Sequence, residues 1–296
     1  MKTLKFKKID AFTTGASSGN PAGYILLENE DILTENQMLQ IAGQLSGFVN
    51  EVGFVKQTGD EFNLKFYSSE CEVAFCGHAT IAIMYDLLAS RKELFNKSEI
   101  FINVAAGKLS VFNHIQKDDA VYIMAPEPEF LQCPVNISHV SDALGIRSSE
   151  IDDSFPLNLI NAGLQTLIVG IRSLDQCLKI SPDQEKLKRF CLNNKIDIIL
   201  VSTKQTHTAH SRYRNRVFAP KYGYLEDPAT GSGNAAFANY LCSLNLWQGD
   251  FVVEQGPDRA NPNFIKLKKH IKNNKERILF GGTATIRVDG NFFLQN

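Results

Sequence analysis

An internal duplication limits the folds open to this chain, because one run of motifs occurs twice in the same order. In each half a glycine-containing segment precedes a helical stretch, a strand and an acidic turn, and the run ends at a glycine that opens an apolar helix. That glycine, Gly77, lies 11 positions after Phe66 in the first run, and Gly231 lies 13 positions after Phe218 in the second. Two copies of one unit are the simplest interpretation.

The helical stretches that follow these glycines, residues 79–85 and 235–241, carry almost no charge on any face. A helix that is apolar all round has to be buried. The segments that flank them, for example 62–66 and 277–280, alternate apolar and polar residues as half-buried strands do. The sequence therefore predicts an α+β fold with two similar barrel-like domains, each formed by strands wrapped around a central helix.

The domain boundary is predicted at the proline-bearing stretch 125–129. The first domain is expected to span residues 1–125 and the second residues 126–296. The last strand, 284–288, is left unassigned, because the sequence does not tell whether it returns to the first domain.

Composition excludes several functional classes. The chain has 31 Lys and Arg against 32 Asp and Glu, a formal net charge of −1, whereas a nucleic-acid binder shows a strongly basic domain and a membrane-surface protein shows basic clusters. The N-terminus lacks the apolar run of a signal peptide, and the apolar stretch 79–85 is too short to span a bilayer. We expect a soluble, cytoplasmic protein with no nucleic-acid or membrane partner.

The six cysteines are scattered, with no C-x-x-C pair among them. Neither a zinc cluster nor a redox motif is indicated, so reduced thiols and no metal are expected.

Each copy places its glycine at a strand-to-helix junction. Unpaired amides at a helix start, together with the helix dipole, make an anion site. Two such starts, related by a pseudo-twofold axis, are expected to face each other across an interdomain cleft that takes a small carboxylate. The alternative is that Gly77 and Gly231 only permit tight turns. The same glycine at a helix start occurs twice, each time beside ionisable residues, and this favours anion binding.

Glu51 and His78 are the candidates for chemistry in the first copy. Glu51 opens an apolar strand, where a carboxylate is suited to general acid–base catalysis; a solvated glutamate at a strand edge is the alternative. His78 follows Gly77 directly and can bind a substrate or hold a proton, or it can simply cap its own loop.

Asp227 and Ser232 are the candidates in the second copy. Pro228 biases Asp227 toward an extended conformation that aims its carboxylate at the cleft, and ordinary turn hydrogen bonds are the alternative. Ser232 is able to donate to a ligand or to cap the helix that follows.

Five motifs, spread over nearly the whole chain, resemble the phenazine biosynthesis PhzF family. They are Gly19–Gly23, Asn50–Val55, Cys76–Thr80, Arg216–Pro220 and Glu226–Ser232. Gln255–Gly256, Arg259 and Gly281–Gly282 continue the similarity. The succession of Gly-His-Ala-Thr and Glu-Asp-Pro-Ala-Thr-Gly-Ser is specific.

The resemblance implies a diaminopimelate-epimerase-like fold with the active site between two domains, and often a homodimer. It implies isomerisation of trans-2,3-dihydro-3-hydroxyanthranilate, or a similar small unsaturated carboxylate, by proton transfer without a metal or an organic cofactor. Glu51 stands at the position of the family's acid–base glutamate, and His78 and Asp227 assist in catalysis. The residues assigned to substrate binding are Asn20, Gly77, Gly231 and Ser232.

Departures from the family pattern leave the substrate open. Asn50 and Val52 stand where the family usually has Ser and Thr around the glutamate. Cys76 stands where amino-acid epimerases of this fold carry their first catalytic thiol, but Thr230 at the second thiol position is no ordinary base. A thiol-pair racemase is therefore disfavoured. The alternatives are a single-base epimerase or dehydratase of a small amino acid, and a non-catalytic small-carboxylate binding protein.

Overall fold

The computed structural model describes residues 1–28 and 31–295, which form two compact units. Unit 1 comprises Met1–Met124 and Gly281–Asn296, and unit 2 comprises Ala125–Phe280. Within the described residues, no helix combines the length and the apolar character that crossing a bilayer requires.

Unit 1 is built mainly of strands. Its strands are β1 (Lys2–Ala11), β2 (Asn20–Leu27), β3 (Val52–Thr58), β4 (Glu61–Tyr67), β5 (Glu72–Val73), β6 (Glu99–Val104), β7 (Gly107–Asn113), β8 (Val121–Met124) and, from the end of the chain, β18 (Ala284–Leu294). Its helices are α1 (Glu35–Gln44), α2 (Gly77–Ser90), α3 (Lys92–Phe95) and α4 (Ile115–Asp118).

Unit 2 has the same character. Its strands are β9 (Glu129–Leu131), β10 (Asn158–Asn161), β11 (Gln165–Gly170), β12 (Ile198–Thr203), β13 (Ser211–Phe218), β14 (Glu226–Asp227), β15 (Phe251–Gln255), β16 (Asn263–Lys272) and β17 (Lys275–Gly282), whose last two residues belong to unit 1. Its helices are α5 (Ile137–Leu144), α6 (Leu174–Lys179), α7 (Gln184–Asn193) and α8 (Gly231–Ser243), with 3-10 turns at Ser148–Glu150 and Pro220–Tyr222.

The strands of the two units pair in the same order, which confirms the predicted α+β class and the duplication. In unit 1, β1–β2, β3–β4, β4–β5 and β6–β7 are antiparallel, and β2–β3 and β4–β6 are parallel. In unit 2, β10–β11, β12–β13, β13–β14 and β15–β16 are antiparallel, and β11–β12 and β13–β15 are parallel. The same supersecondary unit is therefore present twice.

The last strand returns to unit 1, which answers the question that the sequence left open. β18 pairs antiparallel with β1 along its length, from Lys2 opposite Leu294 to Ala11 opposite Ala284. In unit 2 the strand that pairs in this way with β10 is β9, at the beginning of the unit. β18 thus holds in unit 1 the place that β9 holds in unit 2.

Each unit encloses one apolar helix. α2 contacts β1, β2, β3, β8 and β18, and α8 contacts β10, β11, β12 and β16. The other face of the strands packs against outer helices, α1 in unit 1 and α5, α6 and α7 in unit 2. Because successive residues of a strand point to opposite faces, the same strands supply both the inner and the outer core.

The one carboxylate in the buried part of α2 is fully paired. Asp86 accepts hydrogen bonds from Lys7 Nζ at 2.8 and 3.0 Å and from the Tyr24 hydroxyl. A buried charge without such partners costs several kcal/mol, so β1 and β2 each supply a polar group where α2 needs one.

Gly281 in β17 leaves no room for a side chain. A Cβ on Gly281 would lie 2.2 Å from the carbonyl oxygen of Val121 and 2.6 Å from the Tyr122 ring. Gly281→Ala should therefore lower the free energy of unfolding by about 1–3 kcal/mol, as overpacking does. Urea unfolding of the whole chain measures this.

Gly290→Ala is the matched control, since a Cβ on Gly290 in the neighbouring strand β18 meets nothing within 4 Å. It should leave stability unchanged or raise it by up to about 1 kcal/mol. Equal effects of the two substitutions would contradict the close packing of β17 on β8.

Candidate functional site

The first turn of α2 has free amide groups. Cys76 is the N-cap residue, and its side chain makes no capping hydrogen bond. Its carbonyl oxygen accepts from Thr80 N at 3.0 Å and Thr80 Oγ1 at 2.7 Å, which anchors the turn. The amides of Gly77 and His78 precede the first intrahelical hydrogen bond, so they have no acceptor within the helix.

Glu51 lies directly before β3 rather than within it. Its carbonyl oxygen accepts a 3.0 Å hydrogen bond from Gly23 N on the parallel strand β2, which fixes the backbone at this point. Its Oε2 lies 3.4 Å from His78 Nε2. That oxygen is buried and accepts no hydrogen bond from the described residues. The structure thus brings the two candidate residues of the first copy together.

Cys76 extends the pair to a row of three groups. Its Sγ lies 3.4 Å from His78 Nδ1 and 3.9 Å from His78 Nε2, so the thiol and the carboxylate both lie beside the imidazole. The three ligand atoms lie within 4.8 Å of one another. The sequence singled out Cys76 for its position only, since spacing does not show which ring nitrogen a thiol meets.

The protonation states of His78 and Cys76 depend on each other and on the nearby Glu51 carboxylate. Burial lowers the pKa of His78, but a thiolate at Cys76 and the Glu51 carboxylate raise it more, and it lies well above the ordinary value of 6.5. Burial raises the pKa of Cys76 further than the nearby imidazolium lowers it. Cys76 and the Glu51 carboxylate thus both act to keep a proton on His78.

The first turn of α8 repeats the arrangement in unit 2 with different chemistry. Thr230 is its N-cap and makes no side-chain capping bond; its hydroxyl donates instead to Asp227 Oδ2 at 2.6 Å. Asp227 lies in β14, in the extended conformation that Pro228 predicts. Ser232 lies inside the helix, half-buried in the first turn, so of the two alternatives for this residue the N-cap role is excluded.

Gln255 holds this turn in place, a role that the sequence patterns do not predict. Its Oε1 accepts from Thr230 N at 3.1 Å and from Asn234 Nδ2 at 2.6 Å. Its Nε2 donates to the carbonyl oxygen of Asp227 at 2.9 Å and to Thr230 Oγ1 at 3.1 Å. The amide of one buried side chain on β15 thus fixes both Asp227 and the helix start.

The remaining predicted residues are Asn20 in unit 1 and Gly231 in unit 2. Asn20 is buried at the start of β2, the strand parallel to β3, which Glu51 precedes. Gly231 has to be glycine, because a Cβ there would lie 2.3 Å from the Phe280 ring. Asn20 belongs to unit 1 with Glu51 and His78, and Gly231 belongs to unit 2 with Asp227 and Ser232.

The register of the strands shows where the two copies differ. Val52 pairs with Tyr67 in unit 1 and Ile199 pairs with Phe218 in unit 2, so Ile198 holds the place of Glu51. The Ile198 side chain approaches Gly233 in the first turn of α8, leaving 3.0 Å to a Cβ there. The second copy therefore has an apolar side chain where the first has its carboxylate.

Known proteins are similar to the chain over nearly all of its length. The sequence matches the family described as phenazine biosynthesis-like protein, PhzC-PhzF, over residues 9–290. The protein named uncharacterized isomerase YfhB of Bacillus subtilis is 27% identical over 289 residues, covering 96% of this chain and 97% of that protein. Antisense-enhancing sequence 1 of Schizosaccharomyces pombe is 29% identical over 303 residues, covering 99% and 100%.

A solved structure shows the same fold. The PhzF-family phenazine biosynthesis protein of Bacillus anthracis superposes with a TM-score of 0.85 at 24% identity, covering 99% of this chain and all of the other. At this identity the match establishes the fold and leaves the chemistry to be argued from the residues.

The Glu51–His78 pair should be visible in a pH titration. Because the carboxylate supports the charged imidazole, Glu51→Gln should lower the pKa of His78. The protonated imidazole stabilises the folded chain fully below the unfolded-state pKa near 6.5, and this stabilisation is lost as the pH rises through the raised folded-state value. Histidine-resolved NMR measures the shift, with His78→Gln to assign the resonance.

His114 is the internal reference, since its Nδ1 lies 2.9 Å from its own partner Asp118. An unchanged titration of His78 in Glu51→Gln, beside an unchanged His114, would contradict the ion pair.

Gln255 should contribute to the stability of the folded chain as well as to the position of Asp227 and the start of α8. Gln255→Met keeps the size of the side chain but leaves the Thr230 amide without its acceptor and the Asn234 side-chain amide with only the Thr230 carbonyl oxygen. Buried groups that lose a partner cost about 1–3 kcal/mol each, so the thermal unfolding midpoint should fall clearly. Gln248→Met, at an exposed position of the same unit, should change it little. Equal midpoints would show that the network is dispensable.

Proposed function

Since this chain belongs to the phenazine biosynthesis-like PhzC-PhzF family, we propose that it is a cofactor-independent isomerase that moves a proton within a small unsaturated carboxylate. The chain is an enzyme of the isomerase class, as its curated relative from Bacillus subtilis is named. The proposed substrate resembles trans-2,3-dihydro-3-hydroxyanthranilate, the substrate that the family resemblance implies.

The observation that carries the proposal is the Glu51 carboxylate. Its Oε2 is buried, lies 3.4 Å from an imidazole and accepts no hydrogen bond within the described chain. The buried carboxylate of Glu254, by contrast, accepts four hydrogen bonds, from His207 N, Thr208 N, Thr208 Oγ1 and Arg214 Nη1. A carboxylate with an open oxygen beside a proton-holding imidazole is suited to taking up a proton.

In the proposed reaction, the amides of Gly77 and His78 bind the substrate carboxylate at the positive end of α2. Glu51 removes a proton from an activated carbon, so that a C–H bond breaks and an O–H bond forms. It then returns the proton to another carbon of the same conjugated system. No electrons are gained or lost overall. One base on one face suffices for this transfer.

His78 and the residues of unit 2 have supporting roles in the proposal. His78 keeps the carboxylate oriented and donates to a polar group of the substrate. Asp227 assists, and Asn20, Gly231 and Ser232 bind substrate; these assignments rest on the family motifs and on the repeated helix starts. A homodimer and a cytoplasmic location stay predictions from the sequence.

Proton exchange in D2O tests the proposal. The purified chain is incubated with trans-2,3-dihydro-3-hydroxyanthranilate and a panel of small amino and hydroxy acids, and deuterium uptake is followed by NMR and mass spectrometry. Glu51→Gln should reduce exchange by at least about 100-fold, the lower range of general acid–base contributions, while ligand binding persists. Glu70→Gln, an exposed glutamate of the same unit, should exchange like the parent chain.

Exchange retained in Glu51→Gln would reject Glu51 as the base. Absence of exchange with every compound, together with stabilisation by a carboxylate in a thermal-shift screen, would favour the non-catalytic binding protein.

A second candidate function is epimerisation of a small amino acid, which the 3.4 Å contact between Cys76 Sγ and His78 Nδ1 favours. A thiol next to the Glu51–His78 pair is a second group able to deliver a proton to a stereocentre. Deuterium at an amino-acid Cα, with inversion, and its loss in Cys76→Ala would support epimerisation. Unchanged turnover in Cys76→Ala would contradict a role of the thiol in epimerisation.

A further inference from the structure

Glu51, Cys76 and His78 offer an oxygen, a sulfur and a nitrogen ligand to one point in space. His78 Nε2 lies 3.4 Å from Glu51 Oε2 and 3.9 Å from Cys76 Sγ. Two ligands of a tetrahedral zinc ion lie roughly 3.5 Å apart, given Zn–N and Zn–S bonds of about 2.0–2.3 Å.

The donor set selects a class of metal. Thiolate and imidazole ligands favour Zn²⁺ and similar transition-metal ions, whereas Mg²⁺ and Ca²⁺ prefer oxygen alone. Three protein ligands with an open fourth position are the pattern of exchangeable or catalytic zinc sites rather than of closed structural ones. Across residues 1–28 and 31–295, no other three such side chains come as close together.

The site is rigid and reachable. Cys76 and His78 are held at the start of α2 by the two hydrogen bonds from Thr80 to the Cys76 carbonyl. The side chains of His78 and Glu51 are 14% and 20% exposed, which gives an ion access. Glu51 Oε2 has no hydrogen bond to lose on coordination. On binding, the thiol proton and the proton on Nε2 pass to solvent, and the thiolate and carboxylate balance the charge of Zn²⁺.

We propose that Glu51, Cys76 and His78 form a binding site for Zn²⁺, and that the bound ion inhibits the enzyme. Binding rests on the three side chains alone. Inhibition rests on the proposed function, because an ion that coordinates Glu51 and His78 takes the electron pairs that the proton transfer uses.

Cobalt substitution and calorimetry test the binding. Chelator-treated protein is titrated with Zn²⁺ and, separately, with Co²⁺. We expect one equivalent to bind and the Co²⁺ form to show a thiolate-to-metal charge-transfer band. Cys76→Ser should abolish the band, and Cys76→Ser, His78→Gln and Glu51→Gln should each weaken Zn²⁺ binding by more than about 100-fold, beyond the effect of losing an outer-shell partner.

Cys71→Ser is the matched control, since Cys71 is an exposed thiol in the same unit. It should keep both the band and the affinity. Circular dichroism selects the variants that fold, and three independent ligand substitutions keep the test open if one fails. A band that survives Cys76→Ser, or that disappears with Cys71→Ser, would overturn the site.

The D2O exchange assay separates the two proposals. Zn²⁺ should stop exchange and a chelator should restore it. If Zn²⁺ binds with the expected ligands while exchange continues, inhibition is refuted and the isomerase proposal stands. If metal-free protein shows no exchange at all, the isomerase proposal fails, and the Co²⁺ spectrum still decides whether the metal site exists.

Discussion

Burial of one apolar helix in each unit is the constraint on which the rest of this structure depends. α2 and α8 have no polar face, so strands have to cover them on every side, and the pairing order of those strands is the same in both units. Apart from Asp86, which Lys7 and Tyr24 pair within the buried part of α2, polar groups gather at the ends of these helices. At the beginning of each helix the backbone supplies amides that no residue of the helix can satisfy. The chemistry of each copy is therefore concentrated at a Gly-containing first turn, Gly77–His78 in unit 1 and Gly231–Ser232 in unit 2.

The two copies keep this backbone arrangement but use it differently. Unit 1 places Glu51, Cys76 and His78 around the first turn of its helix, and unit 2 places Ile198, Thr230 and Ser232 at the corresponding positions. The second copy has its carboxylate elsewhere, at Asp227, where the Thr230 hydroxyl donates to it. An apolar residue in place of Glu51 means that the second copy has no carboxylate at this position. Divergence after duplication has thus left the Glu51–His78 pair in one copy only, as the proposed single-base proton transfer requires.

Local patterns predicted much of this architecture. Apolar periodicity indicated the buried helices, and the motif order indicated the duplication, because both depend on residues close together in the chain. The position of β18 could not be predicted in this way, since a strand at the end of the chain pairs with β1 some 280 positions away. The role of Gln255 could not be predicted for the same reason, because its contacts with Thr230 and Asp227 join residues 25 and 28 positions apart. The Cys76–His78 contact was hidden for another reason, because it depends on rotamers and not on spacing.

The charges around His78 determine which group of the site holds a proton. The positive end of α2 opposes a proton on the imidazole, and burial opposes it further, so Cys76 and the Glu51 carboxylate together have to outweigh both. Leaving a carboxylate oxygen buried without a hydrogen bond costs about 1–3 kcal/mol, a large share of a typical net stability of 5–15 kcal/mol. Such costs are expected at functional sites. In the proposed reaction a substrate carboxylate at the α2 amides brings a second negative charge beside His78. The imidazole then holds its proton more firmly, and Glu51 is left as the group that exchanges a proton with carbon.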